Sequence, residues 1–103
     1  MRYEELKDAI ENAGCSVSNV AQDVLVYVLD RFDEDDEIEE DDVYDAIRDE
    51  CDSYFTYYSD AWDYLIDNNI TDFEDAIRYG GCENVSSIAY YYLEQEINDN
   101  LCL

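Results

Sequence analysis

The sequence contains no histidine and no proline, and it has only three glycines and five basic residues among 103 positions. The absence of histidine removes the commonest general acid–base group and the Ser-His and Cys-His nucleophile pairs. The adjacent glycines Gly80 and Gly81 follow a predicted helix and not a strand, so they do not indicate a phosphate-binding loop. We therefore expect that the protein is not an enzyme and that it uses no cofactor.

Cysteine is also sparse, and the four cysteines Cys15, Cys51, Cys82 and Cys102 form no C-x-x-C pair, which argues against a zinc site. The chain has no charged-then-apolar leader and no apolar run near the roughly 18 residues of a membrane span. With no sign of export, we expect a cytoplasmic protein with reduced thiols, in which Cys51 is a small core residue. Contact with a membrane is not expected.

Positive charge is scarce as well, because 29 acidic residues against five basic ones give a formal net charge of −24. Repulsion excludes direct binding to nucleic acid or to an anionic membrane, whereas basic surfaces and cations are favoured partners. Hydrophobic residues make up 48% of the chain and aromatic residues 15%, which is too much for a disordered acidic tail. We expect a single acidic helical domain over residues 1–103.

The densest run of charge is the acidic segment, residues 33–42, in which all residues but one are carboxylates. Alternate carboxylates from Asp33 onward resemble the first ligands of an EF-hand calcium loop. That loop needs glycine at its sixth position and a bidentate glutamate at its twelfth, where this chain has Ile38 and Tyr44. We expect no specific metal site, although weak and diffuse binding of calcium or magnesium to the carboxylates is expected.

Apolar residues recur every three or four positions through most of the chain, which predicts amphipathic helices. These patterns cover residues 2–13, 20–32, 43–67 with a kink near Thr56 to Ser59, 73–77, and about 84–97. Residues 24–29 contain three valines and also suit a strand, but the helical spacing continues beyond them. We predict an all-α fold, a compact small bundle of about five to six helices.

Turn and capping residues mark the ends of these helices. Gly14 predicts the end of the first helix, and Ser16 or Ser18 the N-cap of the second. Asn68 and Asn69 predict the end of the long helix, and residues 71–74 fit a capping box for the next. The sequence therefore supplies a start or a stop signal at most of the predicted boundaries.

A short pattern, apolar-x-Asp-Ala-Ile, occurs three times, beginning at Leu6, Val43 and Phe73, and a cysteine follows each copy. One interpretation is an internal duplication that gives three helical hairpins. The other is that short amphipathic helices converge on such patterns. Both interpretations lead to an all-helical fold.

The predicted long helix is apolar on one face and acidic on the other. Its buried face is predicted to consist of Val43, Ile47, Cys51, Tyr54, Phe55, Tyr58, Trp62, Leu65 and Ile66. The aspartates of the outer face and the acidic segment are interpreted as a partner-binding surface, with Tyr57 and Tyr64 off the buried face and able to stack on partner arginines. The predicted partner-binding residues are Asp33, Glu34, Asp35, Asp36, Glu37, Glu39, Glu40, Asp41, Asp42, Asp45, Asp49, Asp52, Tyr57, Asp60, Asp63, Tyr64 and Asp67.

The acidic surface has the scale of a nucleic acid. At one charge per about 1.7 Å of duplex, the net charge corresponds to roughly 40 Å of DNA. A straight helix from Asp45 to Asp67 would extend about 33 Å, close to one turn of B-DNA. The sequence therefore suggests imitation of a polyanion by carboxylates.

In its small size, lack of proline, helical pattern, tyrosine content and charge, the chain resembles the acidic DNA-mimic inhibitors of phages and mobile elements. That group includes anti-CRISPR and antirestriction proteins. The resemblance covers the whole chain in composition and size and rests on no residue motif. It implies a protein that occupies the DNA-binding channel of a host defence enzyme, in the host cell cytoplasm if the protein is phage-encoded.

We therefore expect the acidic surface to bind the basic groove of a nucleic-acid-binding protein, a CRISPR nuclease or a restriction enzyme, and to block access of DNA. Two other interpretations stay open. One is an acidic chaperone or antitoxin-like partner that shields a basic protein, and the other is a salt-adapted or cation-binding acidic protein. An exposed edge at Tyr90 and Tyr91, or the apolar tail 101–103, could also support a homodimer.

Overall fold

The computed structural model describes residues 1–55, 58–70 and 85–103. In these ranges the chain forms five α-helices: α1 (Tyr3–Gly14), α2 (Asn19–Asp30), α3 (Glu40–Tyr54), α4 (Tyr58–Asp67) and α5 (Val85–Asn100). The same ranges contain no strand, and their one pairing of extended backbone is an isolated bridge between Arg2 and Glu37. The prediction of an all-α fold is confirmed, and the predicted helix over 73–77 lies outside the described ranges.

The helices pack side by side in the order α1, α2, α3, α5, α4 and bury one shared core. α1 packs on α2, α2 on α3, α3 on α5 and α5 on α4, and α2 also contacts α5. This arrangement agrees with an elongated body whose principal extents are 47 × 21 × 18 Å. Fully buried side chains come from every helix and include Leu6, Val24, Ile47, Leu65 and Leu93. The predicted apolar faces of α1, α2 and α5 therefore point into the core, as periodicity requires.

The first two copies of the repeated pattern lie on helices that pack against different neighbours. The copy at Leu6 is in α1, which pairs with the next helix in sequence, α2. The copy at Val43 is in α3, whose main packing partners are α2 and α5. The third copy, at Phe73, lies outside the described residues, so the duplication stays a prediction.

The junction between α1 and α2 is set by Ser18, which is the N-cap of α2. Its hydroxyl accepts a hydrogen bond from the Ala21 amide at 3.3 Å, which satisfies one of the free N–H groups at the helix start. The predicted end of α1 at Gly14 is confirmed, but Gly14 is the last helical residue, and the residue that caps the helix is Cys15, in a right-handed conformation. No left-handed residue is used at this turn, so glycine is not required there.

We expect Gly14→Ala to stabilise the protein by about 0.5–1 kcal/mol, because alanine loses less backbone freedom on folding. A Cβ added at Gly14 would lie 3.9 Å from Cγ of Gln22, which is an ordinary van der Waals contact. Equilibrium unfolding in guanidinium chloride measures the change. A decrease in the unfolding free energy would show that the turn after α1 needs glycine after all.

The predicted long helix over 43–67 is divided into two helices. α3 ends at Tyr54, and Phe55 has φ −87° and ψ 81°, which is not helical. α4 begins at Tyr58 and ends at the predicted Asn68-Asn69 pair, where Asn69 has a φ of 58°. Asparagine tolerates this left-handed conformation better than most residues, so it ends the helix at low cost.

The interruption at Phe55 changes which face of α4 is buried. Ala61, Tyr64 and Leu65 are buried, with spacing of three and four, whereas Ile66 is 53% exposed. The prediction that Ile66 belongs to the buried face and that Tyr64 lies off it is therefore wrong. A single helical period had been extended across 43–67, but non-helical backbone at Phe55 resets the period.

The acidic segment is attached to the core by its one apolar residue. Ile38 is 1% exposed. Its N–H donates to the Met1 carbonyl at 2.7 Å, and its carbonyl accepts from the Met1 nitrogen at 2.6 Å. This reciprocal pairing and the burial of Ile38 hold the surrounding carboxylates in a defined position, although they lie outside any helix from 33 to 39.

The core also contains Cys51, which is fully buried as predicted. Burial, with the negative charges of Glu94 and Glu50, raises the pKa of the Cys51 thiol to about 12. In the unfolded state a cysteine thiol has a pKa of about 8.5. The folded state therefore keeps a proton that the unfolded state loses. The contribution of the protonated thiol to the unfolding free energy is complete below the pKa of the unfolded thiol and decreases as the pH rises towards 12.

We expect the unfolding free energy to fall by up to about 1.4 kcal/mol per pH unit between about pH 9 and pH 10 because of this thiol. Cys51→Val removes the ionisable group and should flatten that decline. Urea unfolding at several pH values in a reducing buffer measures the slope, with Cys15→Val as an exposed control. An equally steep decline in Cys51→Val would contradict this explanation.

Candidate functional site

The carboxylates form the surface of the protein, and no charged residue of the described ranges is buried. All described aspartates and glutamates are exposed except Glu50, Glu94 and Glu96, which are partly buried. The predicted partner-binding carboxylates are therefore all accessible. They are Asp33, Glu34, Asp35, Asp36, Glu37, Glu39, Glu40, Asp41, Asp42, Asp45, Asp49, Asp52, Asp60, Asp63 and Asp67.

The three partly buried carboxylates each have a partner inside the protein. Glu50 accepts from Arg31 at 2.7 Å, and Glu94 lies 3.6 Å from the Arg48 guanidinium. These contacts join α3 to the end of α2 and to α5. They hold helices together, so these glutamates serve the fold.

Glu96 joins three helices through hydrogen bonds. Its Oε2 accepts from the Ser18 amide at 3.1 Å and its Oε1 from the Ser18 hydroxyl at 2.8 Å. The Tyr64 hydroxyl also donates to Oε1, at 3.1 Å. A carboxylate at the N-terminus of α2 is further favoured by the helix dipole. This network fixes α4 and its outer aspartates relative to α2 and α5.

Tyr64 has a different role from the one predicted. Its side chain is 3% exposed, so its ring is not an open surface on which a partner arginine could stack. Burial raises the pKa of Tyr64, and the charge and hydrogen bond of Glu96 add to the increase. The hydroxyl therefore stays protonated and remains a donor to Glu96. The other predicted stacking residue, Tyr57, lies outside the described residues.

The acidic segment consists of a tight turn and the start of α3. Asp36 and Asp33 close the turn with two hydrogen bonds of 3.0 Å, one between backbone groups and one from the Asp33 amide to the Asp36 carboxylate. Glu40, Asp41 and Asp42 occupy the first turn of α3, where negative charge is favoured by the helix dipole. Local hydrogen bonds and the start of α3 thus arrange the segment.

The outer aspartates are carried by two separate helices, α3 and α4. Asp45, Asp49 and Asp52 are on α3, and Asp49 also lies 3.5 Å from Arg31, so part of its charge is compensated. Asp60 and Asp63 are on α4. The predicted straight stripe of about 33 Å is wrong, because the backbone is not helical at Phe55.

A groove lies beside the aspartates of α4, and the sequence gave no indication of it. It has a volume of 410 Å³ and is lined by Val20 of α2 and by three aromatic residues, Tyr54, Phe55 and Tyr64. Asp60, Asp63 and Asp67 complete its lining. A second depression of 350 Å³ shares Val20, Tyr64 and Asp67 with it and continues past Ser18.

Metal binding and membrane insertion have no structural counterpart in the part of the chain that is described. There, no group of three or more Cys, Asp or Glu side chains could hold a metal ion. Likewise, none of the described helices has the length and apolar character needed to cross a membrane.

The charge density of the body is close to that of duplex DNA. A net charge of −24 on a body 47 Å long corresponds to about one charge per 2 Å. Duplex DNA carries one per about 1.7 Å of its axis. A protein surface that binds duplex DNA would therefore encounter a similar amount of negative charge over the same length.

Comparisons with known protein families, with curated proteins and with solved structures find no match for this chain. The structure itself shows an all-helical body in the described ranges, an exposed carboxylate surface and an aromatic groove beside α4. Together they define an acidic, all-α protein with an accessible carboxylate surface.

Proposed function

We propose that this protein is a DNA-mimic inhibitor. It binds the basic nucleic-acid-binding groove of a host defence protein, a CRISPR nuclease or a restriction enzyme, and blocks the access of DNA. The observation that carries the proposal is the amount of negative charge on a narrow body, about one net charge per 2 Å. Lysines and arginines that neutralise DNA phosphates would find carboxylates at a comparable density.

The rigid presentation of these charges supports the proposal. The carboxylates are placed on helices and on a segment whose Ile38 is buried in the core. The Glu96 network also holds α4 in place. A preorganised surface loses less conformational entropy on binding than a disordered acidic tail does, so it competes better with a stiff duplex.

Electrostatics also predict how such a complex forms. Opposite fields steer the encounter, so association at low salt approaches about 10⁸–10⁹ M⁻¹s⁻¹ and slows as salt is added. The Debye length shortens from about 30 Å at 0.01 M to about 8 Å at physiological ionic strength. The affinity of the inhibitor should therefore decrease with salt, as the affinity of the partner for DNA does.

The test is displacement of an oligonucleotide. The protein is immobilised to capture partners from a bacterial lysate, and each captured protein is purified with a fluorescent duplex bound. We expect addition of the inhibitor to lower the fluorescence anisotropy of the duplex to its free value. A captured protein that keeps its duplex at saturating inhibitor would instead indicate a chaperone or antitoxin-like role.

A second measurement separates the proposal from a salt-adapted protein. We expect far-ultraviolet circular dichroism to show a folded helical protein in ordinary buffer, because its core contains contributions from all five described helices. Unfolding in low salt, with refolding in molar potassium chloride or millimolar calcium, would contradict the proposal. It would indicate that the acidic surface serves solvation in salt.

A further inference from the structure

We propose that the groove beside α4 receives an arginine side chain of the basic partner. This inference rests on the proposed function and specifies where and how the partner is recognised. The occupant is a guanidinium group on an extended aliphatic stem, presented by a protein surface. Charge complementarity and the apolar lining of the groove together select this occupant.

The inner part of the groove is aromatic and apolar. Phe55 and Tyr64 are 7% and 3% exposed, and their ring centroids are 5.3 Å apart. Tyr54 meets Phe55 edge to face, with centroids 5.4 Å apart, and Val20 of α2 lies opposite. Such a surface buries the methylene groups of a long side chain, whose charged end then needs polar partners further out.

The outer part of the groove supplies the charge that the inner part lacks. Asp60, Asp63 and Asp67 line it, and all three are exposed. Their spacing along α4 places them on one side of the helix, over about 10 Å. A side chain that enters along the aromatic surface therefore ends among carboxylates.

Within the described ranges, these three aspartates also lack ion-pair compensation. The ion pairs of the described ranges use Arg31 and Arg48, which contact carboxylates of α3 and α5. Within those ranges no ion pair includes Asp60, Asp63 or Asp67. Like charges three or four residues apart on a helix repel one another, so an incoming cation would remove an unfavourable interaction.

Arginine fits this lining better than lysine does. Its planar guanidinium can donate to two carboxylates at once and is less strongly hydrated than an ammonium group. The guanidinium therefore loses less hydration free energy when it moves next to the aromatic lining of the groove. The ammonium of lysine would reach the same carboxylates as a single, more strongly hydrated point charge.

The groove can be tested without knowing the partner. The full-length, ¹⁵N-labelled protein is titrated with a capped peptide containing two arginines, or with its two-lysine counterpart, at physiological salt. We expect saturable shifts at the amides of Val20, Tyr54, Phe55 and α4. The arginine peptide should bind at least about threefold more tightly than the lysine peptide, because of its bidentate geometry.

Matched variants separate the groove from the net charge. The variant D60N/D63N/D67N should bind the arginine peptide at least about tenfold more weakly, because three charge-assisted contacts are lost. The variant D8N/E11Q/D30N removes the same charge from exposed positions on α1 and α2 and should bind normally. Equal weakening in both variants, or shifts spread evenly over the acidic segment, would overturn the inference.

The two proposals can fail separately. If the arginine peptide binds the groove but the protein displaces no oligonucleotide from any captured partner, the arginine site is supported and the DNA-mimic function is wrong. If displacement is intact in D60N/D63N/D67N, the function stands and the groove is not where the partner binds. Circular dichroism confirms in each case that the variant is folded.

Discussion

Replacing Asp60, Asp63 and Asp67 together by lysine is expected to weaken binding to the partner by about a hundredfold or more, with no loss of helical structure. Like charges placed opposite each other across an interface cost several kcal/mol, and each 1.4 kcal/mol is a factor of ten in affinity. The three side chains are exposed on α4, so the fold does not depend on them. Surface plasmon resonance at fixed salt measures the affinity.

A control of equal charge distinguishes position from net charge. Asp8, Glu11 and Asp30 are also exposed, on α1 and α2, and their replacement by lysine changes the total charge by the same amount. We expect this variant to associate somewhat more slowly but to stay within about tenfold of the original affinity. Equal losses in the two variants would mean that the partner responds to overall charge and not to α4.

Glu96→Ala is expected to lower the unfolding free energy by about 2–3 kcal/mol, because three donors lose their acceptor. These donors are the Ser18 amide, the Ser18 hydroxyl and the Tyr64 hydroxyl, at 3.1, 2.8 and 3.1 Å from the carboxylate. A protein of about this size then melts about 10–20 °C lower. Thermal unfolding followed by circular dichroism measures the change.

The matched control is Asp99→Ala, on the same helix but exposed, which should change stability by no more than about 0.5 kcal/mol. Tyr64→Phe removes one of the three donors and keeps the ring, so we expect a loss of about 1 kcal/mol. If Glu96→Ala were as stable as Asp99→Ala, the network would not be what holds α4 against α2 and α5.

The spacing of apolar residues predicted the helices, because a helix that buries one side carries its apolar residues at intervals of three and four. Leu6, Ile10 and Ala13 face the core in α1 as their spacing requires. The same rule failed for Ile66, because the non-helical backbone at Phe55 resets the helical period, and the predicted kink near Thr56 to Ser59 was not applied to the buried face of the helix that follows it. Gly14 was misassigned as a cap because the turn uses right-handed backbone.

The candidate site was predictable in part. Exposure of the carboxylates follows from the high cost of burying unpaired charge, and it holds for the whole predicted acidic set. The role of Glu96 was not predictable, because its contact with Ser18 joins residues 78 positions apart. Ile38 did carry a signal, since it is the one apolar residue in the acidic segment, and such an exception marks an attachment to the core.

The groove beside α4 depends on the packing of three elements and has no local sequence signature. Val20 comes from α2, Tyr54 and Phe55 from the end of α3, and Tyr64 from α4. Only the order in which the helices pack brings these residues together. The sequence predicted aromatic residues near carboxylates but not a concave surface.

The central claim is that the acidic surface and a nucleic acid compete for one basic groove. The most direct measurement is the apparent Kd of the protein for its captured partner at increasing concentrations of duplex DNA. We predict that the apparent Kd rises linearly with the free duplex concentration and has doubled where that concentration equals the partner's own Kd for the duplex. An apparent Kd that does not change with duplex, and a complex that contains both molecules, would contradict the claim.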